Sequence, residues 1–419
     1  MKNIGIIAEY NPFHIGHAYQ LAKVRERNPR AKIIVFMSTW LVQRGEPALL
    51  DPFTRAAIVV RYGADLVLGL PAQVSCQSAE HYATALMEQV WNFPDMTVQY
   101  VGTESADIDT LAAFADKLYP ETEAFRDALQ TELREGKPWA QARLDALGAV
   151  TNDLPDTALL RDPNHILTLE YLLAAKREQY RREPKLRSIA RIGHDDSRSD
   201  SAFITGSATA LRELFRDRYW PEMPSVPLTE LKQSVPTEAL AELLSAYSAG
   251  ALVRAGDTER RLINTLIAAD SAELEAYFGS EMAARIINTR QRAERTLSLK
   301  DLMTRQWTLT RITRAATRLH LRLGPEGDAE RALWLRLLAY SPDGRYVMRK
   351  LKDKMAVPII HRAGDVANLP EAAAQFAKDR AVATLWYRAA RRDPALYLTP
   401  PEQYKPIKNL ARFGQITDN

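Results

Sequence analysis

Residues 4–17, with the sequence IGIIAEYNPFHIGH, combine a short apolar run, a turn and the start of a helix. The run at 4–8 is typical of a strand that is buried on both faces. Asn11-Pro12 marks the turn, and Gly16 lets the backbone approach a ligand closely where the helix begins. The stretch therefore predicts a strand, a turn and a helix, with space for a ligand at the turn.

The same alternation continues through the first half of the chain. Residues 31–37 and 64–70 are further apolar runs, and residues 96–101 form a weaker one. Helical patterns separate these runs, at residues 16–26, 52–61 and 78–91. Strands that alternate with helices favour βαβ units and a parallel sheet covered by helices. Residues 186–192 are predicted as a further strand.

The second half of the chain has a different pattern. Pro221, Pro224 and Pro227 fall close together, which favours an extended connector. Beyond them the pattern is almost entirely helical, at residues 229–249, 258–269, 272–295, 308–323, 329–339 and 370–390. We expect an α/β domain at residues 1–220, followed by an all-α domain at residues 228–419.

Composition excludes several classes of protein. The chain has 419 residues, 46% of them hydrophobic, and a formal net charge of only +4. This composition is globular and not that of a disordered or fibrous chain. The single cysteine, Cys76, excludes an internal disulfide and a multi-cysteine metal site, and it fits a reducing compartment. No long uninterrupted apolar run is present, so we expect a cytoplasmic protein without a membrane segment.

His14 and His17 are the candidate catalytic residues. Open N–H groups at a helix start favour phosphate, and two imidazoles separated by two residues can both face it. Such preorganised donors stabilise the transition state for attack at an α-phosphate. The alternative is a helix cap and a half-buried surface residue. Because α/β sheets bind ligands at the carboxyl ends of their strands, the position after the first strand favours the functional interpretation.

A second polar segment, residues 205–212, reads TGSATALR. It places hydroxyl groups at a predicted helix start and an arginine one turn into the helix. Ser207 or Thr209 is expected as an N-cap. Arg212 is a candidate for binding the leaving pyrophosphate through its guanidinium fork.

Together these motifs resemble the HIGH-type nucleotidyltransferase superfamily and, more closely, the bacterial tRNA(Met) cytidine acetate ligase family. The segment at residues 5–14 matches that family almost residue for residue. Further matches are residues 42–48, Arg55, and residues 63–67, 77–80, 102–105, 163–167 and 207–212. The resemblance is dense over about the first two hundred residues and thin beyond them. It implies a Rossmann-like HIGH-type nucleotidyltransferase domain followed by the helical domain.

The resemblance also implies an activity. The protein would be an ATP-dependent ligase that activates acetate as acetyl-adenylate, with release of pyrophosphate. The wobble cytidine of elongator tRNA(Met) would then be acetylated to N4-acetylcytidine, with release of AMP. Mg²⁺ is expected with ATP, and no residue is assigned as a metal ligand. The residues implied in ATP binding are Ile7, Ala8, Glu9, Tyr10, Asn11, Pro12, Phe13, His14, Ile15, Gly16, His17, Ala18, Tyr19, Gln20, Gly102, Asn164, Arg191, Ser207, Thr209 and Arg212.

Some positions depart from the family pattern. Ile15 replaces a usual asparagine, and Ser38-Thr39-Trp40 replaces a stretch that usually carries glycine after serine. His165 and Thr168 depart from the asparagine and glycine that are common beside Asn164. We expect Thr39 and Trp40 to narrow the pocket.

The excess positive charge lies in one segment. Residues 285–322 contain ten Arg or Lys and two acids, Glu294 and Asp301, a local formal charge of +8. Several of the arginines recur at spacings of three and four, on one face of a predicted helix. A solvated face is the alternative, whereas Trp307 nearby suits stacking on RNA. The residues predicted to bind tRNA are Arg44, Lys300, Arg305, Arg311, Arg314 and Arg318.

Two other functions remain open at this point. A small-molecule adenylyltransferase would use the same nucleotide site, but it would not need the basic segment or the large helical region. A nucleotide-dependent RNA-binding protein without catalysis is compatible with the departures at Ile15, Thr39 and Trp40.

Overall fold

The computed structural model describes residues 2–104, 108–151, 157–178, 180, 182–191, 207–215, 228–292, 297–327, 331–351 and 354–391. Within this part of the chain seven strands form one sheet, in the order β5-β4-β1-β2-β3-β6-β7. The strands are β1 Asn3–Ala8, β2 Lys32–Ser38, β3 Leu66–Leu70, β4 Met96–Thr103, β5 Leu186–Ala190, β6 Leu335–Tyr340 and β7 Ile359–Ile360.

Sixteen α-helices occur in the described ranges, together with three short 3₁₀ helices at Thr157–Arg161, Leu299–Leu302 and Ala363–Val366. The α-helices are α1 Ile15–Arg27, α2 Pro52–Arg61, α3 Ala72–Ser75, α4 Ala79–Trp91, α5 Ile108–Leu118, α6 Glu123–Arg134, α7 Trp139–Val150, α8 Pro163–Arg177, α9 Ala208–Phe215, α10 Leu228–Ser234, α11 Thr237–Ser248, α12 Ala255–Ala268, α13 Ser271–Arg292, α14 Leu309–His320, α15 Pro342–Leu351 and α16 Pro370–Ala389.

The sheet is mostly parallel, as predicted. β1 pairs in parallel with β2 on one side and with β4 on the other, and β5 extends the sheet beyond β4. Along β2, Ile33, Val35 and Met37 belong to the apolar core on one face, and Ile34 and Phe36 belong to the core on the other. Burial on both faces explains the nearly continuous apolar runs of the central strands.

The second half of the chain also contributes to this sheet. β6 pairs antiparallel with β3, and the two-residue strand β7 pairs in parallel with β6. The predicted helix at residues 329–339 is therefore wrong, and the mostly helical second half is not all-α. Leucine and alanine are good helix formers, and a short run that is buried on both faces has no periodicity to identify it as a strand.

Other expectations for the second half need smaller changes. The predicted helix at 229–249 is two helices, α10 and α11, separated before Thr237 by Pro236. Helix α13 is interrupted at Gly279, whose φ is +74°. The proline-rich boundary at residues 219–227 lies outside the described residues, so the division into domains at 1–220 and 228–419 stays a prediction. In the described part of the chain, every helix is too short or too polar to cross a membrane.

Candidate functional site

A cavity of about 610 Å³ lies at the carboxyl ends of β1, β4 and β5. β1 is the strand at which the chain order reverses, since β2 lies on one side and β4 on the other. Open α/β sheets bind ligands at such a switch point, and the volume is typical of a small-molecule site. Most of the predicted ATP-binding residues, and Arg44, line this cavity: Ile7, Ala8, Glu9, Tyr10, Asn11, His14, Gly16, His17, Tyr19, Gln20, Gly102, Asn164, Arg191, Ser207, Thr209 and Arg212.

Four predicted residues do not line the cavity. Phe13 and Ala18 are buried in the apolar core, and Pro12 is also buried. Ile15 is exposed. These residues shape the turn and the first helix, and their part in ATP binding stays a prediction. The departure at Ile15 accordingly leaves the cavity lining unchanged.

His14 and His17 hold the start of α1 through a reciprocal cap. The Gly16 amide donates to His14 Nδ1 at 3.1 Å, and the His14 amide donates to His17 Nδ1 at 3.3 Å. The rings stack with centroids 3.7 Å apart. Since each Nδ1 accepts a hydrogen bond, the proton of each neutral ring is on Nε2. Both histidines are therefore caps and, at the same time, N–H donors.

The electrostatics keep both rings neutral. Burial, followed by the charges of Arg191 and Arg212, lowers the pKa of His14 to about 3. Burial, the neighbouring His14 and the charge of Arg191 lower the pKa of His17 well below its usual value. The rings can donate hydrogen bonds at neutral pH without carrying charge. The expectation of open backbone amides needs correction, because the amides of His14 and Gly16 are already bonded to the imidazoles.

Arg212 reaches the cavity from α9. Its guanidinium donates to the Asn11 carbonyl at 2.7 Å and to Thr209 Oγ1 at 3.2 Å, and it forms an ion pair with Glu46 at 3.2 Å. Ser207 accepts from the Ala210 amide at 3.2 Å, so the predicted N-cap bond is present. The first turn of α9 and the turn after β1 are thus joined through one arginine on the cavity wall.

A second polar cluster lies at the ends of β4 and β5. Glu104 Oε1 accepts from the side-chain Nδ2 of Asn164 and lies 3.8 Å from the Arg191 guanidinium. Glu104 Oε2 lies 3.8 Å from Nε2 of the buried His165. Glu104, Asp162 and His165 each place one potential metal-ligand atom within 4.8 Å of the others. The positive charge of Arg191 beside Glu104 opposes a cation there.

Several buried polar atoms on the cavity wall have no hydrogen-bond partner among the described residues. They are Tyr10 Oη, Asn11 Nδ2, His14 Nε2 and Glu104 Oε2. A buried polar group without a hydrogen bond costs about 1–3 kcal/mol. Their concentration in one cavity, with both donors and acceptors among them, indicates a polar ligand that completes these bonds.

The backbone of the turn is fixed from behind by Arg55. Its buried guanidinium donates to the carbonyls of Glu9, Ser38, Thr39 and Leu50. Burial lowers its pKa to about 10, so it stays charged at neutral pH. The loop after β2 is joined to the turn as well, because the Gln43 amide donates to Glu9 Oε1 at 2.8 Å.

The HIGH Nucleotidyl Transferase family model matches residues 1–395. The chain belongs to the HIGH nucleotidyltransferase family. The tRNA(Met) cytidine acetate ligase of Kosmotoga olearia is 30% identical over 376 residues, which are 86% of this chain and 85% of that protein. The protein of the same name from Caldanaerobacter subterraneus subsp. tengcongensis is 28% identical, over 90% of this chain and 93% of its own. The family resemblance found in the sequence is confirmed.

Solved structures agree with the fold of this nucleotidyltransferase. A crystal structure of Thermotoga maritima TmcAL bound with alpha-thio ATP has a TM-score of 0.79 at 24% identity, and the match covers 96% of each chain. An apo crystal structure of the same protein has a TM-score of 0.80, with 98% of each chain covered. The mostly parallel α/β fold is confirmed.

The expectation that Thr39 and Trp40 narrow the pocket of this nucleotidyltransferase is wrong. Thr39 donates to the Leu70 carbonyl at 2.8 Å, and Trp40 packs against Trp386 and Tyr387 of α16. Neither side chain lines the cavity. Both residues follow the end of β2, but they point into the core that joins the sheet to α16.

The structure also contradicts the predicted arginine face of α14. Arg314 is buried and forms an ion pair with Glu326. Arg318 is completely buried and bonds only to backbone carbonyls. Neither side chain is accessible to tRNA phosphates. The spacing did place them on one face, but that face packs against the loop at Gly45, whose carbonyl accepts from Thr317 Oγ1 at 2.8 Å.

The remaining predicted RNA contacts are exposed. Lys300 and Arg305 lie on the surface, and the exposed Arg311 stacks on Trp307 with its guanidinium carbon 4.0 Å from the ring centroid. Arg44 lies at the cavity itself. Their role in tRNA binding stays a prediction.

Several cavity-lining residues were not predicted from the sequence. Tyr82 of α4, and Thr168 and Tyr171 of α8, line the cavity together with Gln43. Glu104 also lines the cavity, and the sequence marked it only as part of the family match at residues 102–105. Gln43 and Glu104 fall within family matches, whereas Tyr82 and Tyr171 lie inside helices, where no local pattern distinguishes a cavity residue from a core residue.

Proposed function

We propose that this protein is an ATP-dependent ligase that activates acetate as acetyl-adenylate and acetylates a cytidine of tRNA(Met). The observation that carries the proposal is the pair of neutral imidazoles at the start of α1, with His14 Nε2 buried, unpartnered and on the wall of a cavity. The names of the relatives supply the acid and the RNA. Because that RNA and ATP are both cytoplasmic molecules, we place the reaction in the cytoplasm.

In the first step an acetate oxygen attacks the α-phosphorus of ATP and pyrophosphate leaves. Charge develops on the phosphate oxygens, and in this proposal the Nε2–H groups of His14 and His17 stabilise it. Neutral donors suit this task, since they need no loss or gain of a proton during the step. Arg212 supplies the positive charge that binds the leaving pyrophosphate through a bidentate contact.

In the second step the exocyclic amine of the cytidine attacks the carbonyl carbon of acetyl-adenylate. A carbon–nitrogen bond forms, the bond from the carbonyl carbon to the adenylate oxygen breaks, and AMP leaves. The amine loses one proton. No protein nucleophile is required, because adenylation has already made the acid reactive.

Mg²⁺ would bind at this site mainly through the phosphates of ATP. It is usually held by one or two carboxylates together with substrate phosphates. Glu104 Oε2, a carboxylate oxygen on the cavity wall without a hydrogen-bond partner, would be the protein ligand to the ion. The Arg191 guanidinium lies close to the same carboxylate and opposes this binding. When bound, the ion neutralises phosphate charge.

Pyrophosphate exchange into ATP tests the first step. With acetate present the protein should exchange pyrophosphate, and a panel of other carboxylic acids should support slower exchange. His14→Asn is the sharpest variant, since asparagine is also a good N-cap but does not place a donor where Nε2 lies. We expect a loss on the order of a hundredfold in exchange rate, with a melting temperature close to that of the original protein. His361→Ala, at an exposed histidine outside the cavity, is the matched control.

The outcomes separate the candidate functions. Exchange without any acid cosubstrate, or exchange that depends on a nucleotide-like acceptor, would favour a small-molecule adenylyltransferase. Absence of exchange with tRNA binding retained would favour a non-catalytic RNA-binding protein. Acetate-dependent exchange that is unaffected in His14→Asn would refute the role given to His14.

A further inference from the structure

A cavity near the start of α12 and the end of α16 is lined mainly by arginines. Its volume is about 350 Å³, and five arginines and one acid, Asp257, line it. These six side chains give a local formal charge of +4, as large as the net charge of the whole chain. The arginines, which we call the arginine basin, are Arg254, Arg260, Arg261, Arg388 and Arg391.

The described residues neutralise only part of this charge. Asp257 lies 2.8 Å from the Arg260 guanidinium and 4.0 Å from that of Arg254. Arg261, Arg388 and Arg391 are exposed. In the described ranges no carboxylate lies within ion-pair distance of these three. This differs from α14, where the arginines that looked free in the sequence are buried against carbonyls or paired with Glu326.

Hydrogen bonds connect the arginine basin to residues 48–49, which follow the loop beside the cavity. The Val253 amide, directly before Arg254, donates to the Leu49 carbonyl at 3.2 Å. Trp386 of α16 donates to the Ala48 carbonyl at 2.7 Å. The Leu49 amide in turn donates to the side chain of Asn11, a cavity residue, at 2.8 Å. Three hydrogen bonds thus join the arginine basin to the turn that lines the cavity.

The start of α12 favours anions, whereas the end of α16, which also lines the basin, carries the opposite partial charge, so the arginine side chains supply the main attraction. Arg254 occupies the N-cap of the 14-residue helix α12 and provides no side-chain cap. The partial positive charge of a helix N-terminus favours a negative ligand. Arginine matches phosphate with two parallel N–H bonds. Several such forks at one concave surface suit a phosphodiester chain.

We propose that the arginine basin binds backbone phosphates of the RNA whose base enters the nucleotide cavity. This proposal rests on the proposed function for the presence of an RNA substrate. It assigns the electrostatic contact to the ends of α12 and α16 and not to the basic segment at residues 285–322. Phosphate contacts of this kind position an RNA without reading its sequence.

The test compares two triple variants of equal charge change. The basin variant replaces Arg261, Arg388 and Arg391 with Gln, and the control variant replaces the exposed Arg126, Arg134 and Arg349 with Gln. Binding of tRNA is measured by fluorescence anisotropy over a series of salt concentrations. The slope of log affinity against log salt should become shallower by about 0.7–0.9 for each lost contact, and affinity near 0.1 M salt should fall on the order of a hundredfold. The control variant should keep the original slope.

Three further measurements separate lost phosphate contacts from lost catalysis or unfolding. Acetate-dependent pyrophosphate exchange should be unchanged in the basin variant, because that step needs no RNA. A triple lysine variant, which keeps the charge, should retain most of the salt slope. A thermal melt accompanies each variant, and if the triple glutamine variant melts early, single variants with an expected slope change of about 0.7–0.9 each replace it.

An unchanged salt slope in a basin variant that melts normally would overturn the proposal. So would a loss of slope in the control variant alone. Failure of the proposed function has a different signature, namely no acetate-dependent exchange by the unsubstituted protein. The salt slope for total tRNA still reports on the basin in that case.

Discussion

Replacing Arg318 with Ala should destabilise the protein and not merely weaken RNA binding. The side chain is completely buried, and its five N–H donors face five backbone carbonyls. These belong to Gln73, Cys76, Leu323, Gly324 and Pro325, at 2.7–3.3 Å. The guanidinium joins α3 to the turn that follows α14. Its removal leaves the carbonyls without a donor and opens a cavity.

The magnitude follows from these contacts. Removing one side of a buried charged network costs about 3–5 kcal/mol, a large part of an ordinary stability of about 5–15 kcal/mol. At about 2.1 cal/mol/K per residue, a 419-residue chain has an unfolding entropy of about 0.9 kcal/mol/K. The melting temperature should therefore fall by about 3–6 °C.

Differential scanning calorimetry measures this change, with Arg311→Ala as the matched control from the same helix. Arg311 is exposed and stacks on Trp307, an interaction of about 0.5–1 kcal/mol at such a site. Its replacement should lower the melting temperature by about 1 °C or less. Arg318→Lys, with three donors instead of five, should lie between the two. An Arg318→Ala protein that melts with the original one would refute the structural role assigned to this guanidinium.

The remaining predictions concern the cavity. Because the folded-state pKa of His14 is lowered to about 3 from 6.5, the unfolded chain alone takes up a proton below pH 6.5, so stability is lost as the pH falls from 6.5 towards 3. Between pH 7.5 and pH 5 the original protein should lose about 2 kcal/mol more than His14→Gln in denaturant titrations, and equal losses would contradict burial of a neutral ring. Arg212→Ala should weaken ATP binding more than AMP binding in calorimetric titrations, because the β- and γ-phosphates are the groups that Arg212 is proposed to bind; equal weakening would leave it a structural residue. Gly45→Ala should lower both the melting temperature and the exchange rate, since its φ is +85° and a Cβ there would lie 2.5 Å from Cα of Arg314; an unchanged melt would show that α14 can move away.

The nucleotide site was predictable because its signals are local. His14, Gly16 and His17 follow a buried strand directly, and a parallel strand must carry its loop to the carboxyl edge of the sheet. The N-cap of α1 likewise depends on residues that are close together in sequence, His14 to His17. Arg212 is distant in sequence, and it was found through the helix-start pattern around Ser207 together with the family resemblance.

Burial by distant segments was not predictable from the same signals. Arg314 and Arg318 have the spacing of a solvated helix face, and nothing near them in sequence shows that the Gly45 loop and the end of α3 cover that face. Trp40 was predicted to lie at the pocket because it follows the end of a strand. Its actual packing partner, α16, is more than three hundred residues away in sequence and could not be recognised from it. β6 was missed for a related reason, since its leucines fit a buried helix as well as a buried strand.

The antiparallel pairing of β3 with β6 has a consequence for synthesis of the chain. Leu66–Leu70 is buried along its whole length, and its second neighbour, Leu335–Tyr340, is translated about 270 residues later. At about 5–20 residues per second, the ribosome needs roughly 15–50 s to supply that neighbour. During this time an apolar strand presents an open edge, which is a template for pairing with other chains. Newly made chains should therefore depend on chaperone protection until the second half emerges, and a fragment that stops at residue 220 should aggregate when expressed alone.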